Sequence, residues 1–324
     1  LSSCSSVKQL EIFKTDASKV LSKCRVGSVQ ESTLRNVIAY ADAYASRTRS
    51  SDRSLALGLM LANHLEHHAQ KDGVIRLTSL PADIFYLDAS SIARRGPGGA
   101  LVVRLDSPVE FIPHHYKQEG LKEPLTADAW AKHLGAPMVF NAGQYDENMN
   151  HLGWLKSDGE WLTRHRKKQW MGLLLSGPID QSVWARIGDL ESLDSKIVER
   201  YEHALQSMML FDHAQKIRVR DTDRAACRSV LAEDTQGRLL FIQTQGAVTL
   251  ADLARWLLTT DLNLVRAMNL DGGIESQIAL QTPEFQLSMY GHYGTQNSAI
   301  PGTEGMVRYP IPVIVEVRPV KLSK

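Results

Sequence analysis

Two carboxylates four residues apart, Asp271 and Glu275, lie at and just after the end of an apolar run that closes Asn269-Leu270-Asp271-Gly272-Gly273. Hydrolysis of a glycosidic or sugar-phosphate bond uses such groups: one protonates the leaving oxygen, and another activates water or stabilises oxocarbenium charge. Asp271 is the first candidate, because a strand end against two glycines lets a ligand or another backbone approach closely. Its plainer reading is an Asp-Gly turn residue bonded to local backbone, and that of Glu275 is a solvated strand residue. Asn141, before Ala142-Gly143, ends a second apolar run. It offers a donor and an acceptor to a sugar hydroxyl or phosphate oxygen, or caps a turn. Arg224 and Arg308 carry the paired donors that suit phosphate or carboxylate, a fork that surface ion pairs also use.

Other chemistries find less support. Trp154, Trp161, Trp170 and Trp184 fall within one stretch and suit sugar stacking, with core packing the default for most of them. The run Arg164-His165-Arg166-Lys167-Lys168 would attract an anionic polymer, or is a solvated loop. His64-Leu65-Glu66-His67-His68 is neither HExxH nor HxxEH, so no metal site is assigned. His114, His115 and His292 are candidates for proton transfer whose default is structural. The sequence contains no GxSxG nucleophile motif, and Cys227 reads as a small buried hydrophobe.

The elements that must position these residues follow from periodicity. Thr126 to Leu134 reads as a short helix stopped by Gly135, leading into the strand Met138-Val139-Phe140 that delivers Asn141. Thr249 caps a second helix whose Leu250, Leu253, Ala254, Leu257 and Leu258 follow helical spacing, and Leu264 to Leu270 then delivers Asp271. Ala226–Ala232 and Leu239–Thr244 flank a turn and predict a hairpin. Leu34 to Leu65 reads as a helical hairpin, and Ile179 to Gln215 leans helical, as an insertion over the core. Ile311 to Val317 reads as a closing strand that Pro310 and Pro312 place at an edge or start irregularly. The expected fold is α+β, a mixed β-sheet core flanked by helices, with an N-terminal helical segment over 1–78, a main domain over 79–324 and the helical insertion near 179–215.

Composition sets outer limits. With 37 basic and 36 acidic side chains the formal charge is +1, and 43% of the 324 residues are hydrophobic. Neither nucleic-acid binding nor disorder is suggested. The longest apolar stretch, Leu55 to Ala62, is far below the ~18 residues of a spanning helix. Three cysteines, Cys4, Cys24 and Cys227, show no metal-ligand spacing. Leu1-Ser2-Ser3-Cys4 has the small-residue pattern that precedes an acylated lipoprotein cysteine, which leads us to expect an exported protein with a possible membrane tether through Cys4.

Six segments, in order, resemble those of the phosphodiester glycosidase family, whose best-known member removes a covering N-acetylglucosamine from the mannose 6-phosphate tag. Leu101 to Ile112 is similar to its opening strand pair, and Val139 to Asp146 to its "aaiNagfFd" segment. Gly153 to Gly159 resembles its "G.l..dG" hairpin and Arg224 to Gly237 its "R.a.gv..dG". Thr249 to Gly273 resembles "tl.elA..l…a.nLDGG", and Arg308 to Val315 the closing "R.vp.ai.v". The likeness runs from about Pro81 to Pro319, without the helical insertion. It implies a hydrolase acting on a sugar-phosphate or glycan, with Asp271 and Asn141 as catalytic candidates; the two-carboxylate argument adds Glu275, and the Cys4 pattern adds a location in the bacterial cell envelope. Arg224, Arg308, Gln144, Tyr145, Asp146, Gly272, Gly273, Ser276 and His292 are the expected substrate contacts. No cofactor is required by the sequence, and a divalent cation is compatible with it. The family usually continues LDGG with Gly and Ser, where this chain has Ile274 and Glu275, and Gln144-Tyr145 stands in place of two aromatics. Those departures favour the rival expectation, a non-catalytic envelope protein that keeps the fold to bind glycan.

Overall fold

The computed structural model describes residues 74–95, 98–106, 108–180, 183–291 and 308–320. The predicted N-terminal helices, Cys4, Cys24, His64, His67, His68 and His292 lie outside them. Strands β1 (Ile75–Leu77), β2 (Ala82–Asp88), β3 (Gly99–Leu105) and β4 (Val109–His115) precede helix α1 (Ala127–Leu134) and β5 (Met138–Asn141). Then follow β6 (Leu155–Ser157), β7 (Glu160–Thr163), β8 (Gly172–Pro178), β9 (Ala185–Asp189), β10 (Tyr201–Phe211), β11 (Arg228–Asp234) and β12 (Leu239–Thr244). Helix α2 (Leu250–Leu257), β13 (Leu264–Gly272), β14 (Gln277–Gln281), β15 (Gln286–Tyr290) and β16 (Val313–Pro319) complete the order.

These strands form two antiparallel sheets. The larger runs β1-β2-β3-β12-β11-β13-β10-β6-β7, with β8 and β9 branching from β10, and the smaller runs β15-β14-β5-β16-β4. Their facing sides share one apolar core, in which Phe140 of β5 meets Phe241 of β12 with ring centroids 4.6 Å apart. The outer side of the larger sheet is covered in part by Leu253, Ala254 and Leu257 of α2, and that of the smaller by Trp130 and Ala131 of α1. Local signals start and stop these helices. The Thr249 hydroxyl accepts from the Asp252 N–H at 3.1 Å, and Gly135 closes α1 in the left-handed conformation at φ 64°.

The expected helix-flanked α+β class is therefore corrected: among the described residues strands make up 47% and helices 11%, in two antiparallel sheets. The predicted insertion at 179–215 accounts for much of the difference. It contains β9, a 3₁₀ turn at Ser195–Arg200 and the 11-residue β10. Nine of the residues of β10 are buried, on both faces, so the period-2 alternation that marks a half-exposed strand is missing and its Leu, Met and Ala content reads as helix. The closing strand takes the irregular start, not the edge position, of the two expected from Pro310 and Pro312: Ile311 makes an isolated bridge to Leu125, regular pairing begins at Val313, and the strand lies between β5 and β4, inside the sheet.

Candidate functional site

At the end of β13 the chain leaves the larger sheet for the smaller one. The Asp271 N–H donates to the Ala142 carbonyl at 3.0 Å, so the two polar strand ends singled out by sequence meet at the seam between the sheets. Asn141 fastens this seam. Its Nδ2 donates to the carbonyls of Asp271 (3.0 Å) and Ala142 (3.1 Å), while its Oδ1 accepts from the Ser229 hydroxyl (2.7 Å) and the Gln277 N–H (3.0 Å). The side chain is 1% exposed, and both donors and both acceptor sites are used. Asn141 therefore positions the Asp271 backbone and has no capacity left for a ligand.

The glycines keep this region tight. A Cβ on Gly272 would lie 2.8 Å from the Cys227 carbonyl oxygen. Gly273 has φ 76°, and its N–H donates to that same carbonyl at 2.9 Å before the short 3₁₀ turn Gly273–Glu275. Ser276 is fully buried and shares a 2.7 Å hydrogen bond with Ser229. Gln277, also fully buried, ties three segments together. Its Oε1 accepts from the first N–H of α1, and its Nε2 donates to the carbonyls of Ile274 (3.0 Å) and Tyr309 (2.6 Å).

The chemistry gathers on the exposed side of this frame. Burial and the neighbouring Glu275 push the Asp271 carboxyl up to about 7, against a partial offset from the Gly272 N–H, 2.9 Å from Oδ1, and from the Arg228 guanidinium. Tyr145 shares a hydrogen bond with Tyr309, and burial together with Glu275, Tyr309 and Asp271 holds its phenol well above the usual range. Arg228 faces Gly272 across the β11–β13 pair, its Nη1 being 3.1 Å from where a Gly272 Cβ would stand. Its Nε and Nη2 donate to the carbonyls of Val248 (3.1 Å) and Arg224 (2.8 Å). An acid poised near neutrality, a second carboxylate, two tyrosines and a guanidinium thus share one strand end. Among the described residues, no group of three or more His, Cys, Asp and Glu stands where it could hold a metal ion.

Several candidates sit elsewhere. The Arg224 side chain is exposed, and the contact described for this residue is through its carbonyl. Arg308 lies 3.4 Å from Asp128 and over the Tyr290 ring. Asp146 closes its own loop by accepting from the N–H groups of Asn148 and Asn150, both at 2.9 Å. Gln144 is half-buried, and its carbonyl accepts from the Leu152 N–H at 2.8 Å. His114 is held between Glu119 (2.8 Å) and Glu316 (2.9 Å), and His115 contacts the Met149 carbonyl. Sequence reasoning missed Arg228, Ser229, Gln277 and Tyr309. For Arg228 a signal existed: it is the arginine within the strand of Arg224-Ala225-Ala226-Cys227-Arg228, whereas Arg224 precedes it.

Comparison with known proteins agrees with the frame. The phosphodiester glycosidase family model matches residues 135–309, more than half of the 324 residues. No curated protein sequence matches significantly. Among solved structures, the chain is similar to the catalytic domain of zebrafish N-acetylglucosamine-1-phosphodiester alpha-N-acetylglucosaminidase, auto-inhibited by its pro-peptide. The identity is 16% and the TM-score 0.53, over 75% of this chain and 85% of that one. It is also similar to a hypothetical protein from Synechocystis, with 13% identity and a TM-score of 0.52 over 75% of this chain and 63% of that one.

Proposed function

The chain belongs to the phosphodiester glycosidase family, and from that premise we propose that it hydrolyses the bond between a sugar and a phosphodiester-linked group at the Asp271 strand end. The observation that carries this reading is the placement of the Asp271 carboxyl at the seam of the two sheets, beside Glu275 and across from Arg228, where burial and Glu275 push it up to about 7. In its protonated form Asp271 donates to the leaving oxygen. Ionised Glu275 stabilises the oxocarbenium charge or activates the attacking water. Arg228 orients and neutralises the phosphate, and Tyr145 with Tyr309 supplies a polar wall for the sugar. Asn141 acts through the Asp271 backbone. The similar zebrafish domain, named for N-acetylglucosamine-1-phosphodiester cleavage, supports a sugar-1-phosphodiester as the first substrate to try. An envelope location and a tether through Cys4 belong to the same proposal, and mass spectrometry of Cys4 in the membrane fraction tests them.

The activity test assays a sugar-1-phosphodiester and an ordinary glycoside in parallel, with unmodified protein, Asp271→Asn and Glu275→Gln. Turnover of the phosphodiester, lost by ~10²-fold or more in each variant with substrate binding retained, is the expected result. Glycan binding without turnover of either substrate would leave the binding-protein reading in its place.

A further inference from the structure

We infer that the basic turn after β7 is an anion-binding platform that holds a phosphate- or carboxylate-bearing glycan chain beside the site; this rests on the phosphodiester-glycosidase reading. The turn is built on tryptophan. Arg164 lies over the Trp161 ring (5.7 Å to the centroid), Arg166 over Trp154 (5.6 Å) and Lys167 over Trp170 (5.9 Å). Trp154 and Trp161 pack edge to face, and the Trp154 indole N–H donates to the Arg164 carbonyl at 3.1 Å. Stacking fixes long side chains that would otherwise lose rotamer entropy on capturing an anion.

The backbone beneath is fixed as well. Gln206 is fully buried in β10; its Oε1 accepts from the N–H groups of Trp154 and Lys167, and its Nε2 donates to the carbonyls of Lys167 and Trp170. A solvated loop has no need of a buried carboxamide with every bonding position spent on it. The charges are also unmatched. Arg94, Arg200, Arg218, Arg238 and Arg255 each sit on a carboxylate, whereas among the described residues none of Arg164, Arg166, Lys167 and Lys168 has one within 4.0 Å. The Nε of Arg166 is buried with no hydrogen-bond partner.

The platform adjoins the site through two short links. Ser207, next to Gln206, donates to the Asn269 carbonyl, two residues before Asp271. Leu152, two residues before Trp154, donates to the Gln144 carbonyl, and Tyr145 bridges to His151. A chain cleaved near Tyr145 and Asp271 therefore has a fixed cationic shelf beside it, suited to its repeating anions.

The test uses the full chain carrying Asp271→Asn, so that binding is read without turnover, with and without Arg164→Gln, Arg166→Gln and Lys168→Gln together. Probes are poly(ribitol phosphate) bearing N-acetylglucosamine, polygalacturonate, neutral dextran and oligothymidylate. Binding of one or both anionic glycans at ~50 mM salt, weakened at least tenfold by the triple variant with the slope of log Kd against log salt reduced by about 2, is expected. The first two probes separate phosphate from carboxylate. Equal binding by the triple variant, preferential binding of oligothymidylate, or aggregation as its only effect, as expected if the charges merely guard the β7 edge, would overturn the proposal. In the Asp271-intact background the triple variant should keep its kcat on a small sugar-1-phosphodiester. Glycan binding that persists where that substrate is not turned over would refute the catalytic reading and leave the platform standing.

Discussion

Replacing Asp271 by Asn should stabilise the protein, and more so as pH rises. The folded state holds this carboxyl at about 7 against an ordinary 3.8, a difference of roughly 3 pH units. A raised folded pKa contributes stability that is fully present below the unfolded pKa of ~4 and is lost as pH climbs through the folded value of about 7. At 1.36 kcal/mol per unit the ionised group costs ~4 kcal/mol at pH 8, but only about 1.7 at pH 5, where the folded side chain is still protonated. The amide keeps an oxygen for the Gly272 N–H and carries no charge. The advantage of Asp271→Asn over the unmodified protein should therefore grow by ~2.5 kcal/mol between pH 5 and pH 8, about 4 °C in Tm for a chain of this size. Guanidinium and thermal unfolding at the two pH values measure it. A difference that does not change with pH would refute the assignment of a raised pKa to this residue.

Asn141→Ala strands the Gln277 N–H and the Asp271 carbonyl inside the seam and leaves the Ser229 hydroxyl only its Ser276 partner, so chemical unfolding should show a loss of ~2–4 kcal/mol, with kcat falling alongside. Arg228→Gln removes the cation that draws the Asp271 pKa down; carboxyl titration by NMR should move further upward, and Arg228→Lys should restore it in part. Burial alone would lower the His114 pKa, but hydrogen bonds to Glu316 and Glu119 outweigh it and hold the ring above 6.5. The stabilisation this provides is full below pH 6.5 and is lost as pH rises through the folded value. His114→Gln should accordingly cost more at pH 5.5 than at pH 9 in parallel melts.

What the sequence revealed and what it hid divide on physical lines. The Thr249 cap, the apolar spacing of α2, the β11–β12 hairpin and the delivery of Asp271 by β13 rest on neighbours within a few residues, and these were legible. Strand β10 was not, because burial on both faces removes the alternation that marks a strand. Gln206, Gln277 and Ser229 were invisible as candidates for another reason. A carboxamide or hydroxyl gains its role from partners far along the chain, as Gln277 does from Ala127 and Tyr309. Asn141 was found as a polar strand end, but its occupation by four hydrogen bonds depends on Ser229 and Gln277, which local pattern does not connect to it. The position of β16 inside the smaller sheet likewise depends on β4 and β5, about 200 residues earlier.

Hydrolysis by this site requires Asp271 as a proton donor near neutral pH, and the pH dependence of kcat/KM for a sugar-1-phosphodiester tests that role. The predicted profile falls on the alkaline side with an apparent pKa near 7 as Asp271 loses its proton, and that limb disappears in the residual activity of Asp271→Asn. A profile that stays flat from pH 5 to pH 9 in the unmodified protein, or an alkaline limb that persists unchanged in Asp271→Asn, would contradict it.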